Sequence, residues 1–192
     1  MESNLAYKLE EAAREEIIGG RAVAMSSPTL AHIFIGANIY HMFRNYLRGK
    51  QCKAIPDGAT LYLEEDREEY RPDMMVVCDR DKLKRKGVYG APDLVVEILS
   101  PSTAKNDKGH KKDAYERHGV REYWLVDPVN KSVEQYALEN GRFVLRDVYT
   151  QYSKEMPDDL TEDEKAALST EFQCAIFEDF TVRLEDVFST DM

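Results

Sequence analysis

Apolar positions along the chain change their spacing several times, and each change predicts an element. From Glu16 to Met25, two short apolar runs flank Gly19-Gly20, a pair that tolerates positive φ, so a β-hairpin is expected. Ser27-Pro28 reads as an N-cap followed by proline at the first helical position. Leu30, Ile33, Phe34, Ala37, Ile39, Phe43, Tyr46 and Leu47 then recur at helical spacing up to Gly49, which predicts a long amphipathic helix. A strand is expected near Ala59 to Leu63, followed by an exposed acidic stretch, Glu64 to Glu69.

Two further strands, Asp73 to Asp79 and Asp93 to Ser100, are joined by the charged segment Arg80 to Ala91. Asp93 to Ser100 is apolar on both faces around one acid, Glu97, the pattern of a strand covered from both sides. A helix is predicted over Thr103 to His118, stopped by Gly119, and an apolar strand over Glu122 to Asp127. Strand, helix, strand at this spacing is a crossover, so those two strands should be parallel. Lys131 to Ala137 and Arg142 to Tyr149 read as a peripheral hairpin around Asn140-Gly141. Residues 153–170 read as an acidic surface insertion with a short helix, and Phe172 to Phe188 as closing strand and helix pieces. The whole, residues 1–192, is expected to be one α/β domain with its core at about 27–128, no repeat and no linker.

Glu97 is the anomaly in this pattern. A carboxylate inside a doubly buried strand is unfavourable by several kcal/mol unless it is paired or bound to metal. Asp93, on the same face, lies about 13 Å away, too far to share an ion. Asp73 is the better partner: in an antiparallel pairing with Asp79 facing Asp93, Asp73 falls opposite Leu99, diagonal to Glu97. Two converging carboxylates suit Mg²⁺, which prefers oxygen ligands and keeps several waters; Mn²⁺ is an alternative, and the backbone carbonyl of Ile98 is a third candidate ligand. Such an ion polarises a phosphodiester and activates water. Lys111, about 9 Å into the following helix, comes level with Glu97 and supplies a cation. The start of that helix, near Ser102 and Thr103, offers free N–H groups to a phosphate. Each residue also has a plainer reading: Asp73 as a strand-entry residue, Glu97 paired with a core arginine, Lys111 solvated, and His32 and His41 as core-edge histidines.

Composition narrows the options. Apolar and charged fractions of 43% and 32% are those of an ordinary soluble chain, and no apolar run approaches the roughly 18 residues that cross a bilayer. The acidic, polar start of the chain does not resemble a secretory signal. Cys52, Cys78 and Cys174 are widely spaced and form no CxxC or zinc pattern; Cys78 reads as a small buried hydrophobe, and a reducing, cytoplasmic setting is expected. The net charge of −10 opposes tight non-specific binding to nucleic acid. Basic strips at Arg80 to Lys86 and Lys105 to Lys112 could nonetheless track a phosphate backbone. No GxSxG, Cys-His or glycine-rich nucleotide motif is present.

Arg71-Pro72-Asp73, the run Ala91 to Thr103, Lys111 with Tyr115, and Gly119 to Pro128 together resemble the Uma-type family of restriction-endonuclease-like proteins, once catalogued as a bacterial domain of unknown function, within the PD-(D/E)xK nuclease superfamily. Gly20-Arg21, Met25 to Pro28 and His32 also fit. The resemblance implies an α-β-β-β-α-β core with a mixed sheet flanked by helices, N- and C-terminal β-hairpin additions, and Mg²⁺-dependent cleavage of DNA. On that pattern Asp73 and Glu97 are the metal-binding acids. The first helix, Ser27 to Lys50, has no acid of its own, and the superfamily's lysine position is Leu99, so Lys111 would replace it from the helix.

The leading expectation is therefore an endonuclease hydrolysing phosphodiester bonds of DNA, active as a homodimer with two sites. Leu99 and the acidic surface keep open a second reading, an inactive nuclease scaffold serving as an interaction module. A hydrolase of small phosphate esters ranks third.

Overall fold

The computed structural model describes residues 14–151, 161, 163 and 169–190. Its centre is a six-stranded sheet in the order β12-β11-β10-β9-β6-β3. These strands are β3 (Lys53–Pro56), β6 (Met74–Val77), β9 (Leu94–Ile98), β10 (Glu122–Asp127), β11 (Ser132–Glu139) and β12 (Arg142–Thr150). β9 and β10 are parallel, as the crossover requires; the other neighbours are antiparallel. The long helix α1 (Leu30–Tyr46) covers one face. The crossover between β9 and β10 is a turn of helix α2 (Ala104–Asn106), a π-helical segment (Asp107–Lys111) and α3 (Lys112–His118), ended by Gly119 in the left-handed conformation.

Alternation along the strands divides the core. Leu94, Val96 and Ile98 of β9 face Ile35, Ile39 and Phe43 of α1 in one apolar cluster, where Phe43 lies against Trp124 at 5.5 Å between ring centres. The hairpin β13 (Glu171–Cys174) and β14 (Phe177–Arg183), with the short helix α4 (Leu184–Val187), closes the same face through Phe172, Val182 and Val187. Each such side chain contributes about 1.5–3 kcal/mol when fully buried. Val95 of β9 points the other way, with Met75, Tyr115, Tyr123 and Leu125. That face is closed by a second six-stranded sheet in the order β2-β1-β5-β4-β8-β7, through Leu61, Tyr70 and Val88. Its strands are β1 (Glu15–Ile18), β2 (Arg21–Ala24), β4 (Thr60–Glu64), β5 (Glu68–Tyr70), β7 (Leu83–Lys84) and β8 (Gly87–Tyr89).

The elements α1, β3, β6, β9, the crossover helix and β10 follow the expected α-β-β-β-α-β order in a mixed α/β fold of restriction-endonuclease-like type. Both glycine-containing turns are hairpins with positive φ at two successive positions: Gly19 and Gly20, then Asn140 and Gly141. The N-terminal hairpin addition is β1–β2, and the closing pieces expected over 172–188 form a second hairpin, β13–β14, and α4.

Several details differ from the sequence reading. The first core strand is Lys53–Pro56, a short edge strand ended by proline, while residues 60–64 join the second sheet. The stretch 64–69 is not wholly exposed, because β5 lies within it and Glu68 is buried. Thr29, not Ser27, caps α1: its hydroxyl accepts from the His32 N–H at 3.3 Å. The 131–149 hairpin is continuous with the central sheet rather than a separate addition. Pairing of Lys53 with Val77 brings Cys52 beside Cys78, and the two form a disulfide, so Cys78 is not a free small hydrophobe. The expectation of a reducing compartment loses that support; Cys174 stays free and buried. No helix among the described residues is long and apolar enough to cross a membrane. The expected acidic insertion, 153–170, falls largely outside the described residues.

Candidate active site

The register between β6 and β9 places the two predicted acids. Met74 pairs with Val96 and Met75 with Val95, so one further step sets Asp73 level with Glu97. The sequence predicts Asp73 opposite about Leu99; the observed register is two residues nearer Glu97, and a two-residue difference leaves the face unchanged. Asp73, just before β6 and after Pro72, is fixed at both oxygens. Oδ2 accepts from the Ile98 main-chain N–H at 2.6 Å, and Oδ1 bonds His32 Nε2 of α1 at 2.8 Å. His32 is therefore a partner of the predicted acid and not a plain core-edge residue. Burial opposes a charge on its ring, but the hydrogen bond and charge of Asp73 outweigh that and raise its pKa.

Glu97, at the middle of β9 and 3% exposed, meets Lys111. The Lys111 Nζ stands 2.6 Å from Glu97 Oε1, and the Tyr115 hydroxyl donates to the same oxygen at 2.6 Å. Lys111, also 3% exposed, is not a solvated helix residue, and Glu97 is not paired with an arginine. Two further acids close around the ammonium: Glu16 of β1 at 3.1 Å and Asp107 at 3.4 Å. Asp107 and Lys111, four residues apart in the π-helical segment, share the inward face of the crossover. Glu16 also accepts the Arg71 main-chain N–H at 2.7 Å.

The electrostatics follow from the excess of acids. Burial opposes the charge on Lys111, but Glu97, Glu16 and Asp107 overcome it and hold the amine well above its ordinary pKa. Burial, opposed by Lys111 and reinforced by Asp107, Asp73 and Glu16, also lifts the Glu97 carboxyl well above the usual range. Asp107 is raised by burial in the same way, against Lys111 and Thr103. Burial is the largest influence on all three groups; the neighbouring acids add to it at Glu97 and Asp107 and oppose it at Lys111.

These residues line a cavity of about 1220 Å³ between α1, the β2–α1 connection and the loop after β9. Among the described residues no three His, Cys, Asp or Glu side chains come together closely enough to hold a metal by themselves. A Mg²⁺ ion does not need three, since one or two carboxylates, a carbonyl and several waters suffice. The hard oxygen donors Asp73 and Glu97 and the surplus negative charge fit such an ion. Both polar contacts of Glu97 fall on Oε1, while the residue itself lines the cavity. Ile98 lines it too, with its N–H already given to Asp73.

Other expected features are placed differently. Leu99 packs in the apolar cluster of the second face. Of the two N–H groups expected free at the start of the crossover helix, that of Thr103 donates back to Ser100. The basic strip at 105–112 is mostly spent: Lys108 pairs with Glu134 at 2.7 Å, Lys111 is buried and Lys112 sits over the Tyr136 ring. Glu16 and Asp107 were not singled out by sequence. The spacing of Asp107 from Lys111 could have flagged it, since residues four apart share a helix face.

The mixed sheet order and the α-β-β-β-α-β succession are those of restriction-endonuclease-like folds. The chain belongs to the Uma2 family, described as "Putative restriction endonuclease", whose model matches residues 2–171. Two proteins of Synechocystis sp. (strain ATCC 27184 / PCC 6803 / Kazusa) are similar. One, named "Uncharacterized protein slr1290", is 27% identical over 136 residues, covering 70% of this chain and 72% of that protein. The other, "Uncharacterized protein sll1609", is 26% identical over 132 residues, covering 66% and 75%. A crystal structure from Anabaena variabilis ATCC 29413, described as "a putative nuclease belonging to DUF820", superposes with a TM-score of 0.63 at 17% identity, over 91% of this chain and 89% of that one. At that identity the likeness speaks for the fold.

Proposed function

We propose that this protein is a Mg²⁺-dependent endonuclease that hydrolyses phosphodiester bonds of DNA. The observation that carries the reading is the buried lysine of the crossover helix, 2.6 Å from Glu97 and within the same cavity as Asp73. In this reading Asp73 and Glu97 hold the ion, with the Ile98 carbonyl as a third protein ligand and Mn²⁺ as a substitute. The ion supplies charge stabilisation and a more acidic water. His32 and the Ile98 N–H keep Asp73 oriented. Tyr115 steadies Glu97, and Lys111 places a positive charge where the phosphoryl oxygens gain negative charge. The cavity, at about 1220 Å³, exceeds the roughly 300–1,000 Å³ typical of small-molecule sites, which favours a polymer over a small phosphate ester.

Cleavage of supercoiled plasmid and of single-stranded DNA with Mg²⁺ or Mn²⁺ tests the reading. Wild type should cut, and Asp73→Ala, Glu97→Ala and Lys111→Met should each lose at least about 10²-fold in rate while remaining folded by circular dichroism. A wild type that cuts neither substrate, or variants that cut equally well, would leave the chain as a nuclease scaffold with an interaction role.

A further inference from the structure

We propose that Arg71 is an anion-binding residue of the cavity, which grips a phosphate of the nucleic-acid backbone next to the acid site. The inference rests on the nuclease reading for the identity of its ligand, but its observations are separate. Arg71 lines the cavity two residues before Asp73. Its main-chain N–H is given to Glu16. Its side chain is given to nothing: Nε is shut off from solvent without a hydrogen-bond partner, and among the described residues no ion pair holds the guanidinium.

That is unusual chemistry for its surroundings. A guanidinium cannot shed its proton to relieve the burial of an unmet donor. Carboxylates are plentiful nearby, yet Glu16, Glu97 and Asp107 all turn to Lys111, and Asp73 turns to His32 and Ile98. The other arginine of the cavity, Arg14, does pair, with Asp57 at 2.9 Å. The sequence thus spends its acids on the lysine and leaves one planar, five-donor fork unspent in the same cavity. A phosphodiester is the ligand whose geometry matches that fork, through two parallel N–H···O bonds. In the same cavity the hydroxyls of Ser26, Ser100 and Ser102 form a hydrogen-bonded chain, each step 3.0 Å, a polar but uncharged part of its wall.

The test is fluorescence anisotropy of the full chain with a fluorescein-labelled single-stranded DNA oligonucleotide, in EDTA, at several salt concentrations. Wild type should bind with an affinity that falls as salt rises. Arg71→Gln should weaken binding on the order of ten-fold and flatten the log–log salt slope by about 0.7, the loss of one phosphate contact. Arg71→Lys should keep the slope and lose part of the affinity, because the charge remains and the fork does not. A purely structural role would lower the folded fraction without changing the slope. A wild type that does not bind at any salt, or an Arg71→Gln slope equal to wild type, overturns the proposal. Should Arg71→Gln not fold, the wild type decides: sodium phosphate should raise its melting temperature above that in sodium chloride of equal ionic strength, and no difference counts against Arg71. A flattened slope without cleavage keeps the anion site and removes the nuclease. Cleavage with an unchanged slope does the reverse.

Discussion

Lys111 and Glu97 show how much a few buried charges decide. Burial, reinforced by the acids around it and opposed by Lys111, holds the Glu97 carboxyl above the ordinary carboxylate range. A carboxyl raised in this way contributes stability that is fully present below the ordinary carboxylate pKa and is lost as pH rises through the raised value. A divalent cation competes for the same oxygens. Stabilisation by several mM Mg²⁺, read as a rise in melting temperature, should therefore be small at mildly acidic pH and grow toward mildly alkaline pH. Glu97→Gln, neutral throughout, should show little response at any pH. A Mg²⁺ response of equal size across that range, or one retained in Glu97→Gln, contradicts this account. At the same scale, Tyr115→Phe removes one hydroxyl from the Glu97 carboxylate and should destabilise by about 1.5–3 kcal/mol, read from the denaturant midpoint.

Glu97 was legible in the sequence because a lone carboxylate within an apolar strand has few explanations, and Asp73, at the entry to β6, followed from the pairing of the two strands. Lys111 was legible from helix and strand rise alone. Glu16 was not, since a hairpin's sequence does not say which sheet it joins, and it reaches Lys111 across 95 positions of chain. Asp107 carried a signal that the sequence reading passed over, its position four residues before Lys111 on one helix face.

Among the elements, strands with strong apolar patterns, β6, β9 and β10, fall where their periodicity puts them. The short, half-exposed strands of the second sheet did not declare themselves, because β-propensity reflects packing against neighbours that the sequence does not reveal. The C-terminal hairpin is held by a device of the same hidden kind. Glu122 of β10 is fully buried without a cation. Its Oε1 accepts from Trp124 Nε1 at 2.7 Å and Gln135 Nε2 at 2.6 Å, and its Oε2 from Cys174 Sγ at 3.1 Å and the Ile176 N–H at 3.0 Å. One carboxylate thus ties β10 and β11 to the β13–β14 turn. Glu122→Ala strands those donors and should destabilise by about 2–4 kcal/mol, with an unchanged m-value in denaturant. Amide exchange should quicken first in residues 171–183. Destabilisation with uniform exchange, or none at all, would show that the hairpin is held by its apolar side chains alone.

For the whole molecule, the net charge of −10 is the main obstacle to a nucleic-acid ligand. Three exposed cations, Lys84, Arg85 and Lys86, remain on the β7–β8 hairpin, at the far edge of the second sheet from the β1–β2 hairpin that bears Glu16. The proposed chemistry therefore depends on charge inside the cavity: Lys111, Arg71 and a bound cation. The anticipated homodimer remains a proposal, and the outer strand β12, with exposed Val144, Leu145 and Val148, is where light scattering on surface variants would look for it.

A crystal soaked in Mn²⁺ and measured for anomalous scattering addresses the centre of this account most directly. One peak between the carboxylates of Asp73 and Glu97, with the Ile98 carbonyl beside it and the Lys111 amine still in the cavity, is the predicted result. A peak at any other place, or none while Glu97 stays closed on Lys111 and Tyr115, would contradict it.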